Sequence, residues 1–309
     1  MSTRAEIETR HLLALDGMPR ERLINILDVA QRYLDAGLDN PTHQDLLAGR
    51  IIANVFLEDS TRTRTSFAVA AVRLGATPIT LTGQGSSISK GETLGDTIDT
   101  ITAMGVDAIV LRCSAAGGAQ LAAQHAECPV INAGDGKHEH PTQALLDLLT
   151  MRQALGELTN KNIVIVGDIA GSRVARSNIH GLMTLGARVT LVGPPTHVPN
   201  SFTQFYNNDR VTISHDLDEA LADADVVMAL RVQFERGSDI TGDYHDLFGL
   251  TSERIAALKP GTIIMHPGPM NRGLEIDAAV ADDPQRSMIR RQVTHGVAVR
   301  MAVLSELIG

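Results

Sequence analysis

Residues 50–75 read RIIANVFLEDSTRTRTSFAVAAVRLG, and this stretch decides the fold class. Its opening, 50–57, is short, apolar and contains β-branched residues, so it reads as a buried strand. Residues 58–63 are polar. Over 66–74 the apolar positions recur at helical spacing, and Gly75 closes the segment as glycine does after a helix. A strand apolar along its whole length has no solvent face. Strands of that kind belong to parallel sheets covered by helices on both sides.

The same alternation extends in both directions. Upstream, Asp16–Gly17 breaks the chain and Pro19 opens a helix with an apolar stripe of Leu23, Ile24, Ile26, Leu27, Val29 and Ala30. Downstream, the pattern predicts a strand over 77–81, a Gly/Ser-rich loop over 82–91 and a helix over 93–104. A strand over 108–111, a helix near 118–125 and a strand over 130–132 follow, and a long helix over 140–155 leaves the unit. A second unit has strands over 163–166, 188–192, 226–230 and 262–265, with helices over 173–185 and 218–222. Residues 291–307 read as an amphipathic helix. The expected fold is therefore α/β: two doubly wound domains with parallel sheets, joined by interdomain helices. The boundaries expected are 1–141 plus 291–309 for one domain and 142–290 for the other.

Bulk properties exclude several classes. The chain has 309 residues, enough for two domains. No apolar run approaches the ~18 residues of a membrane helix. Met1 to Arg10 is polar and lacks a signal-peptide core, so a cytoplasmic protein is the expectation. The net charge of −9 with no basic stretch argues against nucleic acid as a partner. Against that acidic background, local clusters of cations are informative. Cys113 and Cys128 flank apolar runs at no metal-type spacing and read as reduced core thiols, with no metal site.

In open parallel sheets ligands lie outside the carboxyl ends of the strands, so residues just after strands are the candidates. Ser60, Thr61, Arg62 and Thr63 combine hydroxyls, a guanidinium and a helix start, which together suit a phosphate. The same four residues also describe an ordinary capping segment. The loop ending at Lys90 puts a flexible cation near a run of glycines and serines that includes Ser86, and a solvated loop reads the same way. Arg112 follows a strand. His140 and Gln143 flank Pro141–Thr142 at a helix start, where an imidazole can donate to a carbonyl oxygen and an amide can meet an NH₂ group. Arg173 opposes the dipole at a helix N-terminus, which suggests an anion between the two. Arg231–Val232–Gln233 and His266–Pro267–Gly268–Pro269 follow further strands. The second unit lacks GxGxxG spacing, and its second strand ends in Gly193–Pro194–Pro195 rather than an acid that would grip a ribose. Both features oppose a dinucleotide site.

Taken together, these segments resemble the transcarbamylase family, and within it the aspartate branch. Ser60-Thr61-Arg62-Thr63 is similar to the family's carbamoyl phosphate signature, and His140-Pro141-Thr142-Gln143 to its second signature. The ornithine branch usually has cysteine at the place of Thr142, and His-Cys-Leu-Pro in place of His266-Pro267-Gly268-Pro269. Gly268 stands where many members have leucine, Arg176 where some have histidine, and the bond matching Gly268–Pro269 is cis in relatives.

The resemblance implies transfer of a carbamoyl group from carbamoyl phosphate to the amino group of L-aspartate, with no cofactor, metal or enzyme nucleophile. It implies that Ser60, Thr61, Arg62, Thr63 and Arg112 hold phosphate, and that Thr63, Arg112 and His140 meet the carbamoyl oxygen. Gln143 and the carbonyls of Pro267 and Gly268 would hold the carbamoyl NH₂. Lys90, Arg173, Arg231 and Gln233 would bind aspartate. Ser86 and Lys90 would enter the site of a neighbouring subunit, making the active unit a homotrimer whose phosphate-binding and carboxylate-binding units close on each other. A larger assembly with regulatory or dihydroorotase-like chains is left open. The alternatives are a carbamoyltransferase for ornithine or another amino acid, an NAD-dependent dehydrogenase, and a non-catalytic paralogue.

Overall fold

The computed structural model describes residues 10–83, 91–206, 209–232 and 243–309. It divides into two compact units, 1–149 with 293–309, and 150–292. Both divisions fall inside helices, Pro141–Leu155 and Ile289–Ile308. The sequence suggests 141/142 and 290/291 for these divisions, eight and two residues earlier.

In the first unit, α1 (Arg20–Ala36) precedes β1 (Ile51–Phe56), α2 (Thr61–Arg73), β2 (Thr77–Thr82), α3 (Leu94–Ala103) and β3 (Ala108–Cys113). Then come α4 (Gly118–His125), β4 (Val130–Asp135) and α5 (Pro141–Leu155). The four strands form one sheet in the order β2-β1-β3-β4, every neighbouring pair parallel. From β1 the chain passes to β2 on one side and then to β3 on the other. The order reverses between β1 and β3, which is where open parallel sheets leave a crevice. Phe56 is in register with both Thr82 and Arg112, so the carboxyl ends of these strands share one edge.

Helix α2 begins five residues before the predicted 66. Ser60 is extended (φ −164°), and its hydroxyl accepts from the Thr63 N–H at 3.3 Å, a side-chain N-cap. The first turn is polar, so apolar periodicity cannot reveal it. Phe67, Ala70, Ala71 and Leu74 then form the buried stripe. Gly75 has φ +86°, and a Cβ there would stand 1.7 Å from the Gln44 carbonyl oxygen, so only glycine fits.

The second unit has β5 (Asn162–Val166), α6 (Arg173–Thr184), β6 (Arg188–Val192), β7 (Val211–Ser214), β8 (Val226–Ala229) and β9 (Ile263–Met265). Its sheet order is β7-β6-β5-β8-β9, again entirely parallel, with the reversal between β5 and β8. The sequence reading missed β7. It is four residues long, pairs only with β6 among the described strands and carries Thr212 and Ser214, so it offers too few apolar positions to register. The short helices Tyr244–Phe248, Ser252–Ala256 and Ala278–Ala281 were missed because four or five residues are too few to show a helical period. Val164, Val166, Val227, Ala229 and Ile264 form the middle of this unit's core, with Leu217, Tyr244, Phe248 and Ile276 packed on them. Each large aliphatic or phenyl side chain so buried stabilises by about 1.5–3 kcal/mol.

Cys113 and Cys128 are free and buried, and burial pushes the Cys128 thiol up to about 11. No helix among the described residues is long and apolar enough to cross a membrane.

His11 ties the N-terminal segment to β4. Its Nδ1 accepts from the Val130 N–H at 2.9 Å, which requires a neutral ring. Burial, then Arg10 and Arg22, lower its pKa from 6.5 to about 4. Between those values the unfolded chain binds the proton that the folded chain refuses, so stability falls as pH drops from about 6.5 to about 4. In His11→Asn an amide oxygen replaces Nδ1 as acceptor without titrating. Thermal midpoints measured across that window should fall less steeply for the variant than for the parent.

Candidate active site

The carboxyl edge of the first sheet gathers most of the residues proposed for carbamoyl phosphate. Ser60 follows β1 and caps α2, leaving the N–H groups of the first turn directed out of the helix end, where an anion is favoured. Thr61 and Arg62 are exposed on that turn, and partial burial pulls the Arg62 guanidinium below its ordinary value. Thr63 is buried, and its Oγ1 lies 3.4 Å from His140 Nε2. Arg112 lies near the end of β3, the strand across the reversal point from β1. Its carbonyl accepts from the Leu57 N–H at 2.8 Å, its Nη1 is 3.4 Å from the Ala133 carbonyl, and its Nη2 is 3.7 Å from Glu58.

His140 sits just before Pro141, the first residue of α5, and its carbonyl accepts from the N–H groups of Gln143 and Ala144. The approach to it is fixed by a buried polar turn. Asp135 accepts from Asn132 Nδ2 (2.8 Å) and from the N–H groups of Glu139 (3.2 Å) and Gly117 (2.9 Å). Burial alone would raise the Asp135 carboxyl, but hydrogen bonds from His138 and Asn132 hold it below its ordinary value. Glu139 in turn accepts from the N–H groups of Leu15 and Asp16. Sequence reasoning missed this support, because its members are scattered along the chain.

The reversal point of the second sheet holds the arginines. Gly167 follows β5 at φ +137°, and a Cβ there would stand 2.9 Å from Leu230 Cβ, so the ends of β5 and β8 approach only with glycine. The Leu230 N–H donates to Val166 O at 2.8 Å. Arg173 opens α6 behind its cap Ser172, whose Oγ accepts from the Ala175 N–H at 3.1 Å, and Arg173 is buried. Arg231 lies two residues past the end of β8 and is partly buried.

Past β9, His266 is buried and pins the turn that follows. Its Nδ1 accepts from the Gly268 N–H at 2.8 Å, which places the ring proton on Nε2, 3.3 Å from Glu275 Oε1. The His266 N–H donates to Gln292 Oε1 at 3.0 Å. The Gly268–Pro269 peptide is cis, and Pro267 and Gly268 are partly exposed. Ser86, Lys90 and Gln233 lie outside the described residues.

Two family models match the chain. One, described as the carbamoyl-P binding domain of aspartate/ornithine carbamoyltransferase, matches residues 10–153. The other, described as the Asp/Orn binding domain of the same family, matches residues 159–307. The chain belongs to the aspartate/ornithine carbamoyltransferase family. The aspartate carbamoyltransferase catalytic subunit of Acidiphilium cryptum is 50% identical over 305 residues, 97% of each chain. Among solved structures, aspartate transcarbamoylase from Trypanosoma cruzi with carbamoyl aspartate and phosphate is 32% identical, with a TM-score of 0.86 and coverage of 99% and 98%. Ornithine carbamoyltransferase from Pyrococcus furiosus aligns with a TM-score of 0.88 at 29% identity over 97% of each chain. Backbone shape is therefore common to both branches of the carbamoyltransferase family, and the side chains must separate them.

Proposed function

We propose that the chain transfers the carbamoyl group of carbamoyl phosphate to the amino group of L-aspartate, giving N-carbamoyl-L-aspartate and phosphate. One observation carries the reading: two parallel sheets each present basic residues at the reversal of strand order. The first adds hydroxyls and a helix N-terminus suited to phosphate, and the second offers Arg173 and Arg231, suited to carboxylates. The half-identical relatives named for the aspartate reaction support the same choice.

In this reading Ser60, Thr61, Arg62, Thr63 and Arg112 bind the phosphate. Thr63, Arg112 and His140 donate to the carbamoyl oxygen. Gln143 and the carbonyls of Pro267 and Gly268 accept from the carbamoyl NH₂. Arg173 and Arg231, with Lys90 and Gln233, hold the aspartate carboxylates. The unprotonated amine of aspartate attacks the carbonyl carbon, negative charge gathers on the carbonyl oxygen, and the C–O bond to phosphate breaks as the tetrahedral intermediate collapses. The departing phosphate takes the amine proton. No group of the enzyme becomes covalently attached. Catalysis comes from positioning and from donors preorganised at that oxygen, each worth about 2.7–4 kcal/mol of barrier.

The ornithine reading is kept because of the backbone likeness. Against it, ornithine carries a distal ammonium that needs an acidic partner, whereas the proposed side chains are cationic or neutral. The chain would act in the cytoplasm, at an early step of de novo pyrimidine biosynthesis, as a homotrimer in which Ser86 and Lys90 serve a neighbouring site. Exposed Leu46, Val69, Val72 and Ile79, and the open edge of β2, support association through the first unit.

A colorimetric assay for the ureido product tests the reaction. Carbamoyl phosphate with aspartate should give N-carbamoyl-L-aspartate, and the rate with ornithine should be negligible. The reverse preference would overturn the reading. For the shared site, trimers mixed from Lys90→Ala and Arg112→Ala chains should regain activity that neither parent shows, because some sites then combine two intact contributions. A verified hybrid with no recovery would contradict sharing.

A further inference from the structure

We propose that Asp147 is a positioning residue that acts through Gln143, fixing which end of the Gln143 amide is left to meet a carbamoyl NH₂. The proposal rests on the functional reading above. Gln143 and Asp147 are one turn apart on α5, and Gln143 Nε2 donates to Asp147 Oδ1 at 3.0 Å. The two ends of an amide are alike in outline and opposite in hydrogen-bonding sense, and an ionised carboxylate can only accept. Asp147 therefore admits one of the two amide orientations. The NH₂ end turns to Asp147 and the carbonyl end, Oε1, is left over. No described residue donates to that oxygen, and it is not one of the sealed, unpartnered atoms of the interior. A carbamoyl group differs from an acetyl group of the same outline by having NH₂ in place of CH₃. An acceptor held at this point selects the carbamoyl group.

Asp147 is coupled electrostatically to a buried cation. Its side chain is fully buried, where an isolated carboxylate would take up a proton. That cation is Arg300 on the C-terminal helix, itself 3% exposed. Burial pulls the Arg300 guanidinium below its ordinary range, and the Asp147 charge opposes that shift. Arg300 Nη1 donates to the Gly296 carbonyl at 2.9 Å, and its Cζ lies 5.0 Å from the centroid of the Phe67 ring. The space is cut to the guanidinium: a Cβ at position 296 would stand 2.6 Å from Arg300 Nη1. Phe67 belongs to α2, whose first turn carries Thr61, Arg62 and Thr63. Arg300 thus meets α2 through the Phe67 ring and couples to the carboxylate that receives the Gln143 amide.

The test compares carbamoyl phosphate with acetyl phosphate, titrated calorimetrically into the full-length protein and into Asp147→Asn, with thermal midpoints to verify folding. The substitution should weaken carbamoyl phosphate roughly tenfold, the worth of one hydrogen bond to a charged or sequestered group, and leave acetyl phosphate within about twofold. Equal loss for both ligands would mark a merely structural role, and no loss for either would also overturn the proposal. Where Asp147→Asn does not fold, the exchange Gln143→Glu with Asp147→Asn decides. It keeps one carboxylate in the cluster with Arg300, lets the new amide donate to it, and leaves a carboxylate oxygen to accept from the ligand. The exchanged protein should again prefer carbamoyl over acetyl phosphate, and indifference between them would sink the idea. If the parent protein does not bind carbamoyl phosphate, the functional reading fails. If the parent binds it and the variants treat both phosphates alike, the positioning role alone fails.

Discussion

Two anions must be brought together, and their mutual repulsion is the constraint on which the rest depends. Unit charges 4 Å apart interact by about 1 kcal/mol in water and about 4 kcal/mol at the effective dielectric of a protein surface. Carbamoyl phosphate and aspartate each carry more than one charge. A chain with a net charge of −9 would add to the repulsion unless its cations were concentrated locally. Parallel sheets do this economically. Strands that all point one way deliver every following loop to the same edge, and the reversal of strand order opens a crevice there. Arg62 and Arg112 flank one such point, and Arg173 and Arg231 the other.

Placing a cation at a helix start runs against the helix dipole by a few tenths to about 1 kcal/mol. At Arg62 and Arg173 the cost is offset locally. Ser60 and Ser172 cap the two helices through their hydroxyls, so each helix starts at a set residue without an acidic side chain. The dipole and the arginine then present the same sign to an incoming anion. Buried groups do the finer work. His266 takes one tautomer because Gly268 donates to its Nδ1, and Asp147 commits one end of Gln143.

Much of the architecture was legible in the sequence because the central strands are apolar on both faces. Residues 188–192 and the helix 118–125 matched the structure residue for residue. Legibility failed where function or exposure removes the apolar signal. The first turn of α2, where the proposed phosphate site lies, is polar, and β7 is polar because it lies at an edge. Individual site residues could be nominated because they follow strands. Their supports could not. Asp147 looks like any acid within a helix, and its significance depends on Arg300, which is 153 residues away in the chain and becomes its neighbour only in the fold. His266 and Glu275 are separated by a turn whose course no local pattern specifies.

The central claim is that each reversal point holds its own anion. Calorimetric titration of Arg173→Ala tests it most directly, with carbamoyl phosphate first and succinate second. The account predicts that carbamoyl phosphate binds as it does to the parent protein and that succinate then gives no binding heat. Lost carbamoyl phosphate binding in a folded variant, or undiminished succinate binding, would contradict it.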